Sequence, residues 1–269
     1  MEVKVFRKTG SFLQLLSAYM RFNLKAQLEY RGAFIAQALA MFFNNSVWLT
    51  FWTFFFARFP IVRGWHLSDV ITMWAVVSSA YGLMHTVFGN GSFLPTLISK
   101  GQLDVWMLYP RNLVSHFMMG KMSATAVGDF LFGFVAYVVF VSHQPERIML
   151  FTLLVISGAV VFFGFDILTG SLGFYVRNAE RLSEEWRFSL ITFGTYPEAL
   201  FHGNIRVLLY TLIPAGLIGY LPVAALHELS FTKALVCLAA GMVFTFLAMI
   251  VFHHGLGRYE SGNLMEMRG

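Results

Sequence analysis

Asp129 and Asp166 stand inside otherwise uncharged apolar stretches. A carboxylate in hydrocarbon is costly unless it faces a cavity or finds a partner. Two kinds of chemistry follow: contact with a transported solute or ion, or pairing that ties one helix to another. Asp129 lies about two helical turns beyond Lys121, close to the end of its stretch. Asp166 stands in Gly164-Phe-Asp-Ile-Leu-Thr-Gly170-Ser-Leu-Gly173, a small-residue surface that lets a second helix approach closely. Asn44, Asn45, Ser78, Ser79 and His85 are candidates for the same route, with helix-to-helix hydrogen bonding as the competing use of each.

Other reactive constellations are incomplete. His253-His254, with His227 and Glu228 elsewhere, lacks the His-Glu-x-x-His spacing of a metalloprotease, and adjacent helical residues point about 100° apart, so no metal site is expected. Cys237 is the single cysteine, so no internal disulfide forms and it reads as a packed core residue. No Gly-x-x-x-x-Gly-Lys-Ser/Thr phosphate loop occurs, and Gly120-Lys121 lacks both the upstream glycine and the following hydroxyl. Scattered His and Asp residues supply no converging nucleophile and base, so a catalytic chain is not expected.

The elements that must position these residues are six apolar runs: Gly32 to Ala57, Val70 to Phe88, Met122 to Val141, Ile148 to Val176, Val207 to Leu226 and Ala234 to Phe252. Each is long enough for a hydrocarbon core of roughly 30 Å, which takes about 20 helical residues. A composition of 57% hydrophobic and 12% charged residues leaves a soluble fold of 269 residues with too little polar surface. The expectation is an all-α polytopic membrane protein, one transmembrane domain over 1–269 without repeats or linkers and without a cleaved leader.

Basic residues set the orientation. Lys4, Arg7, Lys8, Arg21, Lys25 and Arg31 precede the first run, and Lys100, Arg111, Lys121, Arg177, Arg181 and Arg187 lie in alternate loops, which predicts both termini and segments 1–31, 91–120, 177–204 and 253–269 on the cytoplasmic side. The net charge of +5 then serves retention and contact with anionic lipid, and nucleic-acid binding is not expected, since no basic cluster with interleaved aromatics stands in a soluble domain of its own.

Within 1–31, Phe12, Leu15, Leu16, Tyr19, Phe22 and Ala26 share one side of a helical wheel and Gln14, Ser17, Arg21 and Lys25 the other, as in a helix lying on the membrane surface. In 91–120, the apolar face of Leu94, Leu97 and Ile98, a capping Gly101, and a new start at Asp104 before Pro110 predict a short helix, a cap and a second short element. Leu103, Val105, Trp106 and Leu108 there need cover from lipid or protein. The segment 177–204 has i, i+4 charge pairs such as Arg181 and Glu185, the pattern of a solvated face. Pro214, Gly216, Gly219 and Pro222 interrupt the fifth run, predicting a helix to about Ile218 and then a bent or re-entrant piece over 219–230.

Gly101-Gln-Leu-Asp104 with Leu108-Tyr-Pro110-Arg111, then Tyr196-Pro197-Glu198 with Phe201, Arg206 and Ile213-Pro214, then Gly257-Arg258-Tyr259-Glu260-Ser261-Gly262-Asn263 resemble the ABC-2 type permeases of ATP-binding-cassette exporters, in their compact bacterial six-helix branch. The resemblance implies a half-transporter in the cytoplasmic membrane. It would export a hydrophobic or amphipathic small molecule, lipid or glycan, with a second permease (identical copy or sister chain) and two separate ATPase subunits that hold the ATP and Mg. It assigns ATPase coupling to Leu94, Gly101, Leu103, Asp104, Trp106, Leu108, Pro110 and Arg111, and implies outer re-entrant helices, where Pro214, Gly219, Tyr220 and Pro222 are gate candidates. The chain itself would carry no cofactor. The competing class is a secondary transporter or channel-like protein working through Asp129 and Asp166, although no internal inverted repeat accompanies them.

Overall fold

The computed structural model describes residues 12–259, and these are almost wholly helical. Helix α1 (Phe12–Glu29) runs with one irregular residue into α2 (Arg31–Arg58). A loop carrying Pro60 and Gly64 leads to α3 (Leu67–Phe88). Three short helices follow: α4 (Leu94–Ser99), α5 (Asp104–Met107) and α6 (Leu113–Met118). Then come α7 (Ala124–Phe140), α8 (Pro145–Gly170), α9 (Ala179–Gly194), α10 (Asn204–Thr211), α11 (Leu221–His227) and α12 (Phe231–Leu256).

Helix α7 lies between α2 and α3, and α8 lies between α3 and α12. Small residues make these approaches possible. At Gly82 a side chain would strike the backbone of Ala126 and Phe130 in α7, and Gly164 is pressed in the same way on Thr245 of α12. Helix α3 is the hub: from Val70 to Ala80 every residue is buried, whereas α2 leaves Phe43, Phe51 and Phe54 outward. A helix apolar all round and buried at the centre of a bundle whose rim is Phe-rich has lipid as its outer solvent.

Helices α2, α3, α8 and α12 are each long and apolar enough to cross a membrane, and α7 is a shorter apolar helix. The fifth apolar run is different. Asn204–Thr211 and Gly216–His227 meet at 75°, at the Pro214 break, with Gly216–Tyr220 wound as a π-turn. Ile218 reaches Gly158 and Gly194 inside the bundle, yet His227 returns to Asp69 at the start of α3 (2.6 Å). That run therefore dips in and comes back to the end where it started.

The expected single cytoplasmic segment over 177–204 does not fit this arrangement. Glu180 at the start of α9 accepts from Ser99 (3.2 Å), beside α4, whereas Arg63 Nη1 donates to Ala199 O (3.0 Å) beyond its other end. Arg63 and Ser99 lie at opposite ends of α3, so α9 traverses the bundle. Glu198 and Arg206, paired at 2.6 Å, accordingly stand beside the 59–67 loop and not at the α4 end. The charged i, i+4 pattern hid a helix whose length, and not its hydropathy, spans the bundle.

Candidate functional site

The short helices α4 to α6 form a platform at one end of the bundle. Helix α4 ends as expected at Gly101, whose φ of +64° is a left-handed conformation. The Gln102 N–H donates to Leu97 O (2.8 Å) and the Gly101 N–H to Ile98 O (3.1 Å), a two-bond cap that turns the chain sharply into α5. Helix α4 is seated on the end of α8: Leu94 packs on Gly170, and Pro95 and Ile98 pack on Gly173. Ser183 Oγ of α9 donates to Thr169 O (2.6 Å), so α4, α8 and α9 form one packed junction.

Two coupling candidates have other places than expected. Leu103 is fully buried, and Trp106 is partly buried with its ring edge-on to His116 (5.2 Å) and Phe117 (5.3 Å). They hold the platform together, because a loop of short helices has no other core. The outward apolar ridge is Val105, Met107, Leu108 and Tyr109, with Leu108 84% exposed. Pro110 and Arg111 follow it, also exposed. Asp104 opens α5, where the N–H groups of Leu103 and Asp104 both donate to Tyr259 Oη (2.9 and 3.3 Å). Burial raises the Tyr259 pKa, which keeps the phenol neutral.

Helix α1 braces the platform through a polar seam. Tyr19 Oη meets His116 Nδ1 (2.7 Å), Asn23 Nδ2 donates to Met119 O (2.9 Å), and Gln27 reaches Met122 O (3.4 Å). Burial, and then the Arg111 guanidinium, lower the His116 pKa, so the ring stays neutral beside Tyr19. Phe22, on the apolar side of the wheel, is 69% exposed, and Asn23 is the residue that α1 buries.

Beneath the platform lies a buried charge cluster. Asp166 of α8 accepts from Arg187 Nε of α9 (3.0 Å) and faces His85 Nε2 of α3 (3.2 Å), all three largely shut from water. Tyr81 stacks on His85 at 4.0 Å. Nearby, Asp129 Oδ1 accepts from Asn45 Nδ2 (2.7 Å). Asn44 points out of the bundle, away from this group. The acidic candidates are thus packed and partnered in this conformation, and each joins helices distant in sequence. Arg187 was the partner missed, concealed in a segment that looked solvated; Asn23 and Gln27 carried no sequence signal of a role, and Tyr259 stood out only within a family motif.

At the opposite end, Gly64, Trp65, Asp69, Glu198, Tyr220 and His227 line a cavity of about 210 Å³. Tyr220 Oη donates to Phe193 O (2.6 Å), Gly219 is pressed on Gly194, and Pro222 is buried, so these gate candidates fix the dipping segment against α9. Pro214 marks the bend itself. Among the described residues no three His, Cys, Asp or Glu side chains converge as metal ligands.

A helical bundle with an apolar rim, a dipping segment at one end and a braced helical platform at the other defines a multi-pass membrane component. The chain belongs to the ABC-2 transporter family: the model described as ABC-2 family transporter protein matches residues 34–262. No curated protein and no solved structure matches it. Membership makes it a transport component of the membrane and agrees with the resemblance carried by its loop motifs.

Proposed function

We propose that this chain is the permease half of an ATP-driven exporter in the bacterial cytoplasmic membrane, with six crossings (α2, α3, α7, α8, α9 and α12) and both termini inside. A separate ATPase dimer holds ATP and Mg, and a second permease, identical or sister, completes the pathway. A hydrophobic or amphipathic solute, lipid or glycan is the expected cargo. The observation that carries this reading is the ridge of Val105, Met107, Leu108 and Tyr109 on a platform joined to α8 and α9. Exposed apolar side chains outside the bundle need cover from lipid or protein, a docked ATPase supplies it, and a rigid seat passes that partner's motion to the helices beneath it. The exposed charges of Arg181 and Glu185 on α9 suit a face turned to water or to a second permease, since lipid would not accept them.

The secondary-transporter alternative loses support from the pairing of Asp166 with Arg187 and of Asp129 with Asn45, which gives both carboxylates structural work. The test uses tagged chain purified from native membranes. Vanadate-sensitive ATP hydrolysis should co-purify with it and drive transport in vesicles, and Leu108→Asp should remove both while leaving the permease in the membrane. Transport that ignores ATP, or a Leu108→Asp variant that keeps full coupling, refutes the reading.

A further inference from the structure

Beside the platform a lateral groove of about 540 Å³ opens between α1, α3 and α8. Such a volume lies within the roughly 300–1,000 Å³ of small-molecule sites. Its walls are helical stripes: Leu83 and Val87 on α3, and Ile156, Ala159 and Phe163 on α8. Ala159 makes the depth, a small side chain one turn from both larger neighbours. Phe88 and Phe163 close one end edge-on at 5.0 Å. Phe12 and Leu16 of α1 form the rim, and Ser115 is the polar group that lines it.

We infer that this groove holds one acyl chain of an anionic phospholipid from the leaflet on the platform side. Two observations select that occupant. Helices α3 and α8 are membrane-spanning in length and hydropathy, so the medium beside their apolar stripes is lipid tails. Helix α1, which forms the rim, carries exposed Arg21 and Lys25 and no acidic residue before Glu29, so its polar side offers positive charge to a headgroup. The polar seam through Tyr19, Asn23 and Gln27 fixes α1 at the level where headgroup meets tail. A lipid seated there bridges the surface helix and two helices of the bundle. This inference rests on the membrane location and not on the ATPase reading.

The probe is phosphatidylglycerol with a photoreactive diazirine on its tail, in nanodiscs that contain the full chain, with cross-linked peptides mapped by mass spectrometry. Labelling of the α3 and α8 stripes should exceed that of the lipid-facing Phe43 to Phe54 surface of α2 several-fold. Ala159→Trp, which fills the groove, should cut it several-fold while α2 labelling stays unchanged, an internal check that the variant is folded. Arg21→Gln with Lys25→Gln should abolish the preference for phosphatidylglycerol over a phosphatidylcholine probe. Groove labelling at the α2 level in the unaltered chain overturns the proposal; if it rises when residues 2–11 are deleted, that segment is the occupant, and if it stays low, a protein surface covers the groove. Equal labelling by both probes overturns the anionic assignment.

Discussion

At the scale of single residues, the two intramembrane carboxylates differ in what they would lose. Asp166 faces a guanidinium, so Asp166→Asn leaves the largely buried Arg187 without a counter-charge, and breaking one side of such a pair costs about 3 kcal/mol or more. Arg187→Gln should cost a similar amount, and the double variant should be no worse than the poorer single one, since neither charge then stays orphaned. Asp129 already shares its one hydrogen bond with an amide, and its second oxygen has no partner, so Asp129→Asn should leave stability within about 0.5 kcal/mol. Thermal unfolding of the purified variants measures all four. Loss of transport in Asp166→Asn with unchanged stability would instead assign that carboxylate to the solute path. The sequence marked both aspartates as costly in hydrocarbon, but the choice of partner depends on which helices meet, and residue spacing carries no record of that.

At the scale of elements, the platform was readable because its signals are local. Gly101 and Asp104 mark the cap and restart of α4 and α5 through backbone rules that act within a few residues. Which side of that loop faces out was not readable, since Leu103, Trp106 and Leu108 look alike until α6, α12 and Tyr259 cover the first two. The cap makes a prediction of its own. Gly101→Ala forces a Cβ into the left-handed region and should destabilise the platform by about 1–2 kcal/mol, whereas Gly101→Asn, a residue that visits this region, should lose less. Amide hydrogen exchange over Leu94–Met107 reads the difference directly. Equal protection in both variants and in the unaltered chain would mean that seating on Gly170 and Gly173, and not the cap, holds α4 in place.

At the scale of the whole molecule, five of the six apolar runs coincide with helices of the bundle, because hydropathy over about 20 residues reports burial in lipid directly. Hydropathy and structure part where a helix of the bundle carries a charged face. Helix α9 packs one side against α8 and the dipping segment, while its first turns carry exposed Glu180, Arg181, Glu184 and Glu185, and its hydropathy falls short of a span. The run 207–226, apolar enough to cross, is broken at Pro214 and returns, its backbone enclosed by protein. These two placements predict opposite topologies for the loop between them. With Cys237→Ala as background, Arg181→Cys and His202→Cys should react with a membrane-impermeant maleimide from opposite sides of the membrane, His202→Cys from outside intact cells and Arg181→Cys only after permeabilisation. Both positions labelled from one side would restore 207–226 as the crossing and return α9 to the surface. Agreement with the predicted pattern would leave Glu198, Arg206 and the Asp69 cavity on the outer face, where a solute leaving the bundle meets paired charges and not lipid.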